Sequence, residues 1–258
     1  MNIINFLVPI FGSFIGSFLN VCIYRLPRNK SIFLPNSFCP SCEKPIKFYD
    51  NIPIISYLLL KGKCRQCGAH ISLRYPLVEM ATAFLFYVFY KKYGLSFEFL
   101  VHIIFVSLLI AISFIDLDFK IIPDVLSIGG LIAGLVLGFF RRPIFFYQDS
   151  LYGILTGGGI LFAIFLVYRF FTKRDGIGTG DIKLLGMIGA FCGTKGVIFS
   201  LISGSFLGTL VGIPLMLIKG KDTKYEIPFG PFLSLSTLIF LFYGERFIYG
   251  FLNVIMRK

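Results

Sequence analysis

Val101-His-Ile-Ile-Phe-Val-Ser-Leu-Leu-Ile-Ala-Ile-Ser-Phe-Ile115-Asp116-Leu-Asp118-Phe-Lys120 is the stretch on which the fold turns. It closes an apolar run, 97–115, that ends abruptly in two acids and a lysine. A helix needs about 20 apolar residues to cross the hydrocarbon core of a bilayer. Seven further runs lie at 4–24, 76–90, 124–140, 150–171, 183–193, 196–218 and 231–252. The expectation is an all-α polytopic membrane protein with about eight transmembrane helices, of which 76–90 and 183–193 are the shortest. Composition agrees: 56% of the 258 residues are hydrophobic and 15% charged, less charge than a soluble domain of this length carries. The first run has no basic start and no clear small-residue cleavage site. It therefore reads as a helix that stays, not as a signal peptide.

The net charge of +12 has a topological explanation. Arg25, Arg28, Lys30, Lys44, Lys47, Lys61, Lys63, Arg65 and Arg74 crowd the segment after the first run. Positive charge is retained on the cytoplasmic side, so this loop is placed inside and the N-terminus outside. Alternation from there puts Lys120, Lys173, Arg174, Lys219, Lys221 and Lys224 inside as well. Lys91, Lys92, Arg141 and Arg142 fall outside, against the trend. The charge clusters at helix ends and not on one folded face, which argues against nucleic-acid binding.

The chain divides into a first transmembrane helix at 1–25, a polar insert at 26–75, and a membrane core at 76–258. Glycines recur at helix-packing intervals: Gly12 and Gly16, then Gly130, Gly134 and Gly138, then Gly204, Gly208 and Gly212. Small residues at this spacing let helix backbones approach where lipid gives no hydrophobic drive between helices.

The insert carries Cys39-Pro-Ser-Cys42 and Cys64-Arg-Gln-Cys67. Each turn can offer two thiolates to one tetrahedral metal, and two such turns complete a Cys₄ zinc site. With four protein ligands no position stays open for water, so the zinc is structural. A reducing compartment disfavours disulfides, and an insert of this size needs a staple. His70 is read as a bystander, and Cys22 and Cys192 as packing residues in apolar runs.

Acids within membrane segments are expensive and point to function. Asp116 ends one run, in Ile115-Asp116-Leu-Asp118-Phe-Lys120-Ile-Ile-Pro123-Asp124. Asp181 opens another, in Gly178-Thr-Gly180-Asp181-Ile-Lys183. Both map to cytoplasmic helix ends. Two carboxylates sharing one proton can activate water against a peptide bond, one as base and the other as polarising acid. Spacing alone does not bring them together, and interfacial capping is the alternative. For Asp118, Asp124 and Asp175 capping or solvation is the preferred reading.

The sequence resembles the type IV prepilin leader peptidases, the bifunctional family of GxGD-type intramembrane aspartyl proteases. The resemblance covers nearly the whole chain. It runs through Gly16-Ser-Phe-Leu-Asn20-Val-Cys-Ile-Tyr-Arg25-Leu-Pro27, both cysteine pairs, Arg74-Tyr-Pro-Leu-Val-Glu79, Asp116 to Asp124, Gly178-Thr-Gly180-Asp181-Ile-Lys183, and Ile227-Pro-Phe-Gly-Pro231. It implies that Asp116 and Asp181 are the catalytic aspartates, with Asp118 the fallback for the first. It implies an inner-membrane enzyme that cuts prepilins and type II secretion pseudopilins after the glycine ending a basic leader. The new N-terminal residue, usually Phe, would then be N-methylated with S-adenosylmethionine. No dinucleotide-type glycine loop is present to bind that donor, and Gly157-Gly158-Gly159 reads as packing. The donor site is expected in the insert and adjacent helix ends. Glu79 is a weak candidate there, either to hold the incoming amine or to pair with Arg74. A peptidase lacking methylation is the nearest alternative, but such relatives usually lack the cysteines. A proton-coupled transporter is a more distant one, since its acids should lie near mid-membrane.

Overall fold

The computed structural model describes residues 3–141, 145–173, 178–219 and 227–256. Arg142, Arg174, Asp175, Lys221 and Lys224 lie outside the described residues. Among those described, the architecture is helical: α1 (Ile4–Arg25), a short α2 (Ile55–Leu59), α3 (Arg74–Tyr93), α4 (Phe97–Phe119), α5 (Asp124–Phe140), α6 (Phe145–Thr172), α7 (Thr179–Lys219) and α8 (Gly230–Met256). Two compact units form, Met1–Ala111 and Ile112–Lys258. Among the described residues, four helical stretches are long and apolar enough to cross a membrane: Ile4–Arg28, Phe97–Phe119, Tyr147–Thr172 and Thr179–Met216. Asp124–Phe140 and Gly230–Gly244 are apolar but shorter.

In the first unit α1 packs on α3 with its pattern inside out for a soluble helix. Phe11, Phe14 and Phe18 are exposed, while Gly12, Gly16 and Asn20 are buried. A Cβ on Gly12 would stand 2.9 Å from Ala83 Cα, and one on Gly16 would stand 2.7 Å from Glu79 Cα. Bulk turned outward and glycine inward is the arrangement expected where the surroundings are lipid. Arg25, counted above among the topological charges, is also a clamp. It is buried, and its guanidinium donates to the carbonyls of Ser31 at 3.0 Å and Pro35 at 2.7 Å, tying the start of the insert to α1.

In the second unit the two runs read at 183–193 and 196–218 merge into α7, which is 41 residues long. At about 1.5 Å per residue that length exceeds one crossing. The helix breaks at Gly193, whose φ of 66° and ψ of −173° suit glycine. Gly157 of α6 lies against Leu185 on one side of the break and Val197 on the other, so the chain doubles back there. Charged groups secure the turn. Asp149 sits over Gly193 and accepts from the Thr194 N–H at 3.4 Å, while Arg141 donates to the Phe191 carbonyl at 3.1 Å. Arg141 runs against the charge rule, and in this position it serves a helix end.

The backbones of α6 and α7 approach closely. Gly153 and Gly189 face each other so tightly that a Cβ on either would strike the other's carbonyl. Gly134 and Gly138 play the same part on α5, against Phe191 and Ser150. Of the Gly157–Gly159 run, only Gly157 packs this way; a Cβ on Gly158 or Gly159 would meet nothing within 4 Å.

Gly189→Ala should therefore force α6 and α7 apart and destabilise the folded protein by roughly 1–3 kcal/mol, the usual range for overpacking. Gly158→Ala should be neutral. Thermal unfolding of both variants in the same detergent checks the contrast; equal midpoints would contradict it.

Candidate functional site

The first unit holds a thiol cluster. Sγ atoms of Cys39, Cys42, Cys64 and Cys67 all lie within 4.8 Å of one another, and Cys39 Sγ is 3.9 Å from Cys67 Sγ. A tetrahedral zinc with Zn–S bonds of about 2.3 Å needs sulfurs about 3.8 Å apart, so the residues fit the ion. The two turns are built alike. Cys39 N–H donates to Lys44 O while Cys39 O accepts from Glu43 N–H; Cys64 N–H donates to Ala69 O while Cys64 O accepts from Gly68 N–H. Glu43 and Gly68 both have positive φ, 55° and 71°. Short bridges, Phe38 to Pro45 and Lys63 to His70, close each turn. His70 thus serves the backbone frame and is not in the cluster. Backbone N–H groups of Cys67 and Gln66 hold the Cys64 thiol down to about 7, which readies a thiolate for a cation. Arg65, inside the second turn, grips Asp50 with two nitrogens at 2.7 and 2.9 Å, anchoring it to the intervening segment.

Glu79 is buried in the same unit. Its Oε2 accepts from the Ile54 N–H at 2.7 Å, and Ser17 is its second partner. Its carboxylate therefore joins α1, α3 and the insert.

The second unit brings the two acids together. Asp116, in the last turn of α4, and Asp181, in the first turn of α7, lie within range of direct charge–charge interaction. Asp116 is buried, whereas Asp118 is exposed on the opposite side of the helix end. The chain leaves α4 through Lys120, at a φ of 55°, and starts α5 after Pro123. Lys183 donates to Asp124 Oδ1 at 2.6 Å, and Gly180 packs on Ile122, so the start of α7 is held against the segment that follows Asp116. Asp124 is thus an ion-pair partner as well as a first-turn acid.

Gly230, at the start of α8, is the residue that sequence reasoning missed. Its N–H donates to Asp116 Oδ2 at 2.9 Å, and a Cβ there would stand 2.8 Å from that same oxygen. The Pro-Phe-Gly-Pro pattern was visible, but its partner lies 114 residues away. The result is a pair of carboxylates with one oxygen fixed by a backbone donor, at the ends of two membrane helices. Two buried acids that feel each other's charge favour a state with one protonated and one ionised.

Two family models match the chain: the bacterial peptidase A24 N-terminal domain over residues 10–93, and the type IV leader peptidase family over residues 103–213. Similar proteins include the prepilin leader peptidase/N-methyltransferase of Aeromonas salmonicida, 34% identical over 97% of this chain and 94% of that one. The Pseudomonas putida protein of the same name is 33% identical over 93% and 91%. That of Legionella pneumophila is 34% identical over 93% and 92%. No solved structure matches.

Protein purified without chelator should carry about one zinc per chain, and Cys64→Ser should lose it and expose the insert to protease. Elemental analysis with limited proteolysis checks this. Metal-free protein with a resistant insert would refute it.

Proposed function

Since this chain belongs to the type IV leader peptidase family, we propose that it is a membrane endopeptidase that removes the basic leader of prepilins and pseudopilins after a glycine and methylates the new N-terminal residue. The observation that carries the reading is that Asp116 and Asp181, at two helix ends of one unit, lie within range of charge–charge interaction, with the Gly230 N–H on one of them.

In this reading Asp116 and Asp181 are the catalytic pair. One carboxylate takes a proton from water as the water attacks the scissile carbonyl. The other, protonated, donates to the carbonyl oxygen; when the tetrahedral intermediate collapses it recovers that proton, and the first carboxyl passes the proton taken from water to the leaving amine. Gly230 fixes the orientation of Asp116, so that its free oxygen faces the reacting atoms.

Eight crossings follow if α1, α3, α4, α5, α6, both halves of α7 and α8 each span the inner membrane. With the N-terminus outside, this count returns the insert, Asp116, Asp181 and Gly230 to the cytoplasmic side. A leader rich in basic residues lies on that side as well. Zinc in the Cys39, Cys42, Cys64 and Cys67 cluster staples the insert. When bound, S-adenosylmethionine supplies an electrophilic methyl group. Glu79 is this chain's candidate to orient the amine that receives it.

Asp116→Asn and Asp181→Asn should each abolish cleavage of a prepilin while leaving thermal stability near wild type. Either variant should still transfer label from a methyl donor to a pilin supplied already cut. Gly230→Ala should lower the turnover number by about 100-fold, as expected when a reacting group is displaced by about an ångström. Gel-shift cleavage and label transfer, scored together, check all three. Wild-type cleavage by either Asn variant would remove it from the catalytic pair.

A further inference from the structure

We propose that the groove between the second half of α7 and the Ile227–Gly230 segment is the subsite for the first apolar side chain after the cut. The proposal rests on the peptidase reading above. A cavity of about 340 Å³ opens here, lined by Ser205, Gly208, Thr209 and Gly212 of α7 and by Ile227 and Phe229. Phe229 is bonded to Gly230, and Gly230 N–H holds Asp116 at 2.9 Å. The wall of the groove therefore begins one residue from the carboxylate, and a chain held at the pair can reach it.

The floor of the groove is made by missing side chains. A Cβ on Gly208 would sit 3.6 Å from the Phe232 ring and 3.8 Å from the Phe229 ring. That is ordinary contact for a methyl group, and anything larger would occupy the groove between the rings. Phe206 and Leu210 of the same helix are exposed around it. On a helix long and apolar enough to span, those side chains face lipid. The occupant thus arrives from the bilayer and is apolar. A substrate whose scissile bond immediately precedes a membrane helix offers such a group as its first residue beyond the cut. Two aromatic walls over a glycine floor suit a flat ring, which stacks offset or edge-on. The polar leader on the other side of the bond has no counterpart in this groove.

The test uses the full-length protein in nanodiscs and two prepilins that differ only in the residue after the cut, Phe or Ala. Wild type should cleave the Phe substrate with the higher kcat/KM. Gly208→Leu fills the groove. It should lower kcat/KM for the Phe substrate at least tenfold and change the Ala substrate less than threefold, narrowing or reversing the preference. Gly208→Ala, which fits without displacement, should shift the ratio in the same direction by a smaller factor, and it supplies the answer if Gly208→Leu fails to fold. An unchanged Phe-to-Ala ratio in a folded variant overturns the proposal. So does an equal fall for both substrates accompanied by loss of a photoreactive acyl-chain probe, which would make the groove a lipid site. Wild-type protein that cuts neither substrate refutes the peptidase reading itself, an outcome distinct from a variant that cuts both with the old preference.

Discussion

The hydrogen bond from the Gly230 N–H to Asp116 ties the start of α8 to the end of α4. A carboxylate buried at the end of an apolar helix must find donors within the protein, because the surroundings offer few. A side-chain donor would need room beside Asp116 and would move. A backbone N–H at the start of a helix is already oriented and has no partner within its own helix. It can come close only if the residue lacks a Cβ, which fixes glycine at 230. The same requirement sets where α8 begins, and with it the course of Ile227 to Phe229 beside the groove.

The packing of the unit follows a similar rule. Helices in lipid gain little by hiding apolar area from one another, so contact depends on close approach. Gly153 and Gly189 bring α6 and α7 to backbone distance, and Gly193 allows α7 to double back. The turn leaves free carbonyls and N–H groups at both helix ends. Arg141 and Asp149 answer one of each, so that two residues which look like stray surface charges are part of the frame.

The cysteine cluster was legible because its thiols come in two local pairs, and a CxxC turn shapes itself whatever the rest of the chain does. The helical architecture was legible from apolar runs, since hydropathy is a local property. The count of crossings was less so: α7 reads as two runs, but only the backbone at Gly193 shows one helix turning back. Asp116 could be ranked over Asp118 by resemblance, while burial separates them physically. Gly230, Gly153 and Gly189 were not legible, because their partners lie on other helices and glycine carries no side chain whose chemistry would mark it.

A peptidase acting on a membrane helix faces two solvents at once. Water must reach the bond from the aqueous side, and the substrate must arrive through lipid. Carboxylates at mid-membrane would meet the substrate but lack water; carboxylates in a soluble loop would have water but not reach the bond. Helix ends meet both conditions, and here α4 contributes its last turn while α7 contributes its first. The glycine before Asp181 lets α7 start close against Ile122, and the glycine at 230 lets α8 start close against Asp116. The groove between the second half of α7 and Phe229 lies beside the start of α8, one residue from the glycine that holds Asp116.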